Sequence, residues 1–185
     1  MTRRDGFALW TALPRRLYLD TSTLQTIHDF GGSIFDGEPF ETVGRASRVQ
    51  GLGDHVNCLR MILEVNKRAQ FESVVGDANM KEVAARLEGR FLQWAIDVRT
   101  TWDPQSEGEA FGPSAELLSE PRFDMISRKD RILLQEAIDP RCDAFLTMER
   151  KLHTAAEFVR REAAISILRP ADFWDQLRPW AALYW

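Results

Sequence analysis

Four carboxylates stand at comparable places in the chain: Asp20, Glu82, Asp130 and Glu149. Asp20 closes the apolar run Leu17-Tyr18-Leu19 and is followed by two hydroxyl residues, Thr21 and Ser22. Glu149 follows a strand-like stretch, 143–147, that ends in Thr147. Glu82 falls early in a helical stretch behind a second short strand, and Asp130 falls in the first turn of the helix before 143–147. Carboxylates that converge without a basic partner repel one another and raise each other's pKa. A divalent cation removes that cost, and hard oxygen donors suit Mg2+ or Mn2+ rather than Zn2+. Such a centre would activate water and neutralise charge at a scissile phosphodiester. Thr21, Ser22 and Thr147 suit contacts to phosphate or to the ligating carboxylates. The plainer alternative is helix capping, with Asp20 or Thr21 as the N-cap of the next helix.

Whether these acids meet depends on the elements that carry them. Residues 17–19 read as a buried strand, and Leu24 and Ile27 follow at helical spacing. Residues 31–55 hold a glycine-rich stretch without a sustained period and read as a loop excursion. Val56, Leu59, Ile62 and Leu63 mark a helix to Arg68, and Phe71 to Val75 a strand stopped by Gly76-Asp77. Asn79 to Trp94 reads as one helix, with Met80, Val83, Ala84, Leu87, Phe91 and Trp94 on its apolar face. Asp103 to Ser114 breaks the pattern, and a short helix is expected at Ala115 to Ser119. A weakly written strand falls near Phe123 to Ile126. Arg128 to Ile138 reads as a helix with Ile132, Leu133, Leu134, Ala137 and Ile138 inward. Leu152 to Arg161 is a further amphipathic helix, Ile165 to Leu168 a last strand, and Pro170 opens a helix carrying Phe173, Trp174 and Leu177.

Strand and helix alternate, which predicts an α/β layer around a mostly parallel sheet. In that arrangement Asp20 and Glu149 leave one edge, and Glu82 and Asp130 can reach it from helix starts. Asp77 lies near enough to compete with Glu82. A strand rises about 3.3 Å per residue, so Asp143 is expected roughly 15–20 Å from Glu149, at the opposite strand end and in a structural role.

The 185 residues suit one domain, with an irregular, locally basic lead-in over 1–15 and a Trp-rich tail over 170–185 that is expected to anchor packing. Hydrophobic residues make up 44%, and the net charge of −4 gives no global pull towards nucleic acid. Binding to a phosphate backbone would need local patches: Arg45, Arg48, Lys67 and Arg68, or Arg128, Lys129 and Arg131 beside Asp130. The same residues also read as solvated helix faces. Two cysteines, Cys58 and Cys142, lack metal or disulfide spacing, and three scattered histidines do not make a zinc set. The chain contains neither GxxxxGKS/T nor GxGxxG, which excludes the familiar Gly-rich phosphate cradles. Nothing in it resembles a signal peptide or a run of eighteen apolar residues, so a soluble cytoplasmic protein without membrane contact is expected.

The chain resembles the PIN-domain family of metal-dependent ribonucleases. YLDTSTL at 18–24 is similar to the family's opening strand and first acid, and VVGDANMKEV at 74–83 to the segment carrying the second. KDRILLQEAIDPRCDAFLTMERKL at 129–152 looks like the third acid, its helix, the strand ending in Thr and the fourth acid. LRPADFWDQL at 168–177 is similar to the closing strand and helix. The resemblance implies a PIN-like three-layer α/β/α sandwich, RNA cleavage with Mg2+ or Mn2+, and homodimerisation. It makes Asp20, Glu82, Asp130 and Glu149 the metal-binding acids. A toxin of a toxin–antitoxin pair would also need an antitoxin or other regulatory protein to cover its cleft. Glu149 stands where Asp is commoner, and the spacing from Asp20 to Glu82 is longer than in compact toxin members. Both departures keep open a second reading, a PIN-like binding or regulatory module without catalysis. A haloacid-type phosphatase ranks lower, because Ser22 occupies the place of that chemistry's second Asp.

Overall fold

The computed structural model describes residues 12–41, 51–69, 71–85, 89–102 and 120–183. In chain order these form β1 (Arg16–Leu19), α1 (Thr21–Asp29), α2 (Gly31–Phe35), α3 (Leu52–Ala69), β2 (Glu72–Val74), α4 (Asp77–Ala85) and α5 (Gly89–Trp102). A 3-10 turn at Pro121–Phe123 precedes α6 (Arg128–Ile138), β3 (Ala144–Leu146), α7 (Arg150–His153), α8 (Ala156–Ala163), β4 (Ser166–Leu168) and α9 (Pro170–Ala181).

The strands are short and mostly buried, because they are covered on both faces, as parallel strands require. Leu17, Leu19, Ala144, Leu146 and Leu168 point into one core with α1, α3, α5 and α9. Tyr18, Val74, Phe145 and Ile167 point into the other with α6 and α8. Fully buried side chains such as Leu24, Leu134 and Ile167 each contribute about 1.5–3 kcal/mol of transfer free energy. The result is an α/β fold with a four-stranded, all-parallel sheet and helices on both faces, compatible with three α/β/α layers. No helix among the described residues is long and apolar enough to cross a membrane.

The sheet order is β2-β1-β3-β4. From β1 the chain moves out to β2 on one side, then returns across β1 to β3 on the other. In an open parallel sheet such a switch point leaves a crevice outside the strands' carboxyl ends. The register aligns Leu19 with Leu146 and Leu146 with Leu168, so Asp20, Thr147 and Arg169 all emerge at that edge.

Two polar contacts lock the helices that flank the crevice. Asn79 Nδ2 donates to the Leu19 carbonyl at 2.7 Å, seating the first turn of α4 on the end of β1. Glu136 of α6 accepts from the Ala78 amide at 2.8 and 3.0 Å. The Tyr18 hydroxyl lies between Asn79 Oδ1 and Glu136 Oε2. Gly76 is required where these parts converge: a Cβ there would collide with the Glu136 carboxylate and come within 2.6 Å of the Tyr18 oxygen.

Several elements differ from their sequence reading. The single helix expected over Asn79 to Trp94 is two, α4 and α5, with 86–88 outside the described residues and Ala84 exposed. The excursion over 31–55 contains α2 and the start of α3, while 42–50 lie outside the described residues. Near Phe123 to Ile126 there is no strand; the 3-10 turn instead drives Phe123 and Ile126 into the core. Ile132 is 50% exposed: the inward stripe of α6 runs through Leu133, Leu134 and Ala137, and at 100° per residue Ile132 falls off its edge. The helix expected over Leu152 to Arg161 is broken at Thr154, whose hydroxyl turns back to the Lys151 carbonyl at 2.6 Å. The expected helix at 115–119 and the lead-in over 1–11 lie outside the described residues. In the tail, Trp174 and Trp180 pack partly buried against the larger core, as expected.

Candidate functional site

Asp20 stands at the N-cap position of α1, yet its side chain makes no capping bond. Its amide instead continues the β1–β3 ladder by donating to the Leu146 carbonyl at 3.0 Å. The carboxylate, in a residue 4% exposed, faces the switch point. Ser22 Oγ donates to its Oδ2 at 2.5 Å and Thr147 Oγ1 at 2.7 Å. Burial holds this carboxyl above the usual range; the two hydroxyls and the Thr21 amide pull the other way, and the charge of Glu82 pushes it further up.

Ser22 and Thr147 also fix the chain that leads to Glu149. Ser22 Oγ accepts from the Met148 amide at 3.1 Å, and Thr147 Oγ1 from the Glu149 amide at 3.0 Å. Both residues are therefore positioning groups for two acids at once, one on each side of the crevice. Thr21 is 1% exposed and its Oγ1 has no hydrogen-bond partner.

Glu149 sits at the start of α7 without capping it. Partial burial raises its pKa first, and the charges of Asp20, Asp130 and Glu82 raise it further, against a lowering by Lys129. Three of the sequence-predicted acids thus bear on the fourth, Glu149. Glu82 is one helical turn beyond Asn79 on α4, so the Asn79 contact with β1 brings it to the rim. Its side chain is 17% exposed, and its buried Oε2 makes no hydrogen bond. Lys129 Nζ lies 3.1 Å from that oxygen, an ion pair without hydrogen-bond alignment. Asp130 is also engaged: its Oδ2 accepts from Ser127 Oγ at 2.7 Å, while its amide donates to the same Oγ at 3.2 Å, capping α6.

The acids share an electrostatic neighbourhood rather than a finished ligand shell. Among the described residues, no three His, Cys, Asp or Glu side chains are arranged to hold a metal ion. Asp77 stays apart, 67% exposed and 2.8 Å from Arg99 Nη1. Asp143 has the structural role expected of it: its Oδ2 accepts the Arg15 and Arg16 amides at 2.8 and 2.9 Å, at the amino end of the sheet. Of the candidate phosphate-gripping residues, Lys129 is tied to Glu82, Arg131 to Asp124 at 3.0 Å and Lys67 to Glu64 at 2.6 Å. Arg45 and Arg48 lie outside the described residues.

Sequence reasoning missed two groups here. One is Asn79, whose signal was a polar residue on the apolar side of a helix start. The other is the pair of His55 and Arg169, beyond β4 on the same edge. Arg169 Nη2 meets His55 Nε2, and burial, then the Arg169 charge, lower the imidazole to about 4. Comparisons with family models, with curated proteins and with solved structures give no match.

Proposed function

We propose that this chain is a PIN-like endoribonuclease that hydrolyses RNA phosphodiester bonds with Mg2+ or Mn2+ in the crevice between β1 and β3. What supports the reading is the buried Asp20 carboxylate held by Ser22 and Thr147 at a topological switch point, with Asp20, Asp130 and Glu82 close enough for their charges to raise Glu149. The donors are carboxylate oxygens, the type a hard cation takes, and Glu82 Oε2 has the Lys129 ammonium against it but no hydrogen bond. Asp20, Glu82 and Glu149 would hold the ion, with Asp130 at the margin. When bound, it would polarise a water and neutralise charge at the phosphate.

The chain's own residues support the rest. Ser22 and Thr147 keep the Asp20 carboxylate in one orientation and fix the approach to Glu149. Glu149 is exposed, so it would reach the ion from the solvent side. An antitoxin-like partner would act by covering this same crevice. The second reading, a binding module without catalysis, is favoured by the engagement of Glu82 with Lys129 and of Asp130 with Ser127.

The test is cleavage of an end-labelled single-stranded RNA by wild type and by Glu82→Gln/Glu149→Gln, each in Mn2+ and in EDTA. The proposal expects cleavage by wild type in Mn2+ alone. Cleavage that survives EDTA or the double substitution overturns it, and RNA binding without any cleavage selects the binding module.

A further inference from the structure

The carboxyl edge of the sheet does not end at Thr147. Leu168 continues the register of Leu19 and Leu146, so Arg169 leaves the same edge, two strand spacings or about 10 Å from Asp20. What meets its guanidinium is an imidazole: Arg169 Nη2 lies against Nε2 of His55, in the first turn of α3. A guanidinium only donates, so Nε2 is the accepting nitrogen and the ring proton sits on Nδ1. His55 is 4% exposed, and this Nδ1 has no hydrogen-bond partner. Arg169 Nε is likewise buried without one. The pair therefore holds two buried N–H donors and a full positive charge with nothing to accept them. Among the described residues, no carboxylate forms an ion pair with Arg169. Asp172 Oδ2 faces the Arg169 amide and His153 Nε2, each at 3.0 Å, and Asp54 reaches His55 only through its charge. Arg150, exposed and without an ion pair, brings a second cation to bear on the same imidazole. Buried donors are nearly always paired, and a guanidinium fork that lacks a carboxylate is shaped for another oxyanion.

We propose that Arg169, seated on His55 and flanked by Arg150, binds a backbone phosphate of single-stranded RNA. The proposal rests on the reading of the chain as a protein that takes RNA, and adds where the strand lies: across the carboxyl ends of β3 and β4. The basic residues on the other side of the crevice are engaged already, Lys129 with Glu82 and Arg131 with Asp124. His55 is then a positioning residue. A neutral acceptor holds the guanidinium in place without cancelling its charge, as a carboxylate there would do. Burial and the Arg169 charge keep the imidazole in that form, with a pKa of about 4. Arg169 itself is only partly buried, so its charge can be met from outside. An arginine that merely tied α3 to α9 would lower stability on removal and leave RNA affinity and its salt dependence alone.

The experiment is fluorescence anisotropy of a labelled single-stranded RNA in EDTA, over a series of salt concentrations, with wild type, Arg169→Gln and Arg169→Lys. Arg178→Gln, on the exposed face of α9 and 3.7 Å from Asp175, is the control, and thermal unfolding shows that each protein is folded. Arg169→Gln should weaken binding about tenfold at low salt and lower the slope of log K against log salt by about 0.7, one phosphate contact to a single strand. Arg169→Lys should keep the slope and lose part of the affinity, since it retains the charge without the fork. Arg178→Gln should stay close to wild type. Unchanged affinity and slope in Arg169→Gln overturn the proposal and leave the ribonuclease reading, which is judged by cleavage, standing. RNA binding that depends on Arg169 without any cleavage supports the proposal and selects the binding module. The unaltered chain gives an independent reading: the Arg169 Nε–Hε NMR signal should move on addition of RNA. A signal that moves with inorganic phosphate and stays fixed with RNA overturns the proposal and assigns the site to a small phosphorylated ligand.

Discussion

Replacing Asp20 by Asn separates the two tasks open to its carboxylate, holding strands together and holding a cation. Asp20 is 4% exposed, and its Oδ2 receives Ser22 Oγ at 2.5 Å and Thr147 Oγ1 at 2.7 Å. An Asn whose amide oxygen takes that place keeps both donors and loses the charge assistance, about 1 kcal/mol per bond. It also removes a buried negative charge that acts on both Glu82 and Glu149. Relief of that like-charge repulsion is worth on the order of 1–2 kcal/mol at an effective dielectric near 20, and the desolvation of the carboxylate adds to this. The pKa of Asp20 decides between the two sides. It is raised in spite of two hydroxyls and an amide, so the fold disfavours the ionised form.

The substitution should therefore leave the protein in EDTA as stable as wild type or more so, by about 1 kcal/mol, which is a gain of about 2–4 °C in Tm for a chain of this size. Mn2+ should raise the Tm of wild type by mass action and leave that of the variant in place. Thermal unfolding followed by circular dichroism, in EDTA and in excess Mn2+, reads both. A fall of more than about 4 °C in EDTA would refute the reasoning, since the hydrogen bonds across β1 and β3 would then outweigh the burial of the charge. An equal Mn2+ shift in both proteins would refute Asp20 as a ligand.

Asp143→Ala should lose about 1 kcal/mol of stability, because two backbone amides at the amino end of the sheet lose their acceptor. Its Mn2+ affinity should match wild type, and a tenfold weakening in a calorimetric titration would show that the acid reaches the crevice after all. His55 gives a pH test: burial and Arg169 hold its folded pKa at about 4 against an ordinary 6.5, so the unfolded chain binds a proton first and stability falls as pH drops from about 6.5 towards 4. Urea unfolding of wild type and His55→Gln should show the wild type losing about 1–2 kcal/mol relative to the variant between pH 7 and pH 4.5, allowing for screening by the neighbouring Arg169, Asp172, Asp54 and Arg150, and a constant difference would contradict it.

The strands were legible because burial on both faces writes them as short apolar runs with a turn residue at the end. That is why 17–19, 71–75, 143–147 and 165–168 each overlap one. Their order could not be read, because pairing is a property of the assembled sheet. The helices were legible as periodicity and less so as boundaries. Arg86, Leu87 and Glu88 continue the amphipathic pattern from α4 towards α5, so the spacing of apolar residues runs straight across the break. Ile132 misled for a related reason: an apolar side chain beside the inward stripe has the right character and the wrong angle.

The acids divide along the same line. Asp20 and Glu149 are set by strand ends, where backbone register alone decides which residue reaches the rim, and Ser22 and Thr147 could be read with them because they are near neighbours in the chain. Glu82 and Asp130 ride on helices, and where they point depends on how α4 and α6 dock. Asn79 and Glu136 control that docking through contacts of long sequence separation that no local pattern records. The helix-borne acids are also the two with competing partners, Lys129 for Glu82 and Ser127 for Asp130. The crevice therefore has a firm half, in which the Asp20 carboxylate is fixed by two hydroxyls from both strand ends, and an adjustable half held by one exposed ammonium and one helix cap. A cation entering it would meet Asp20 already in place and would do its rearranging on the side of Glu82, Lys129 and Asp130.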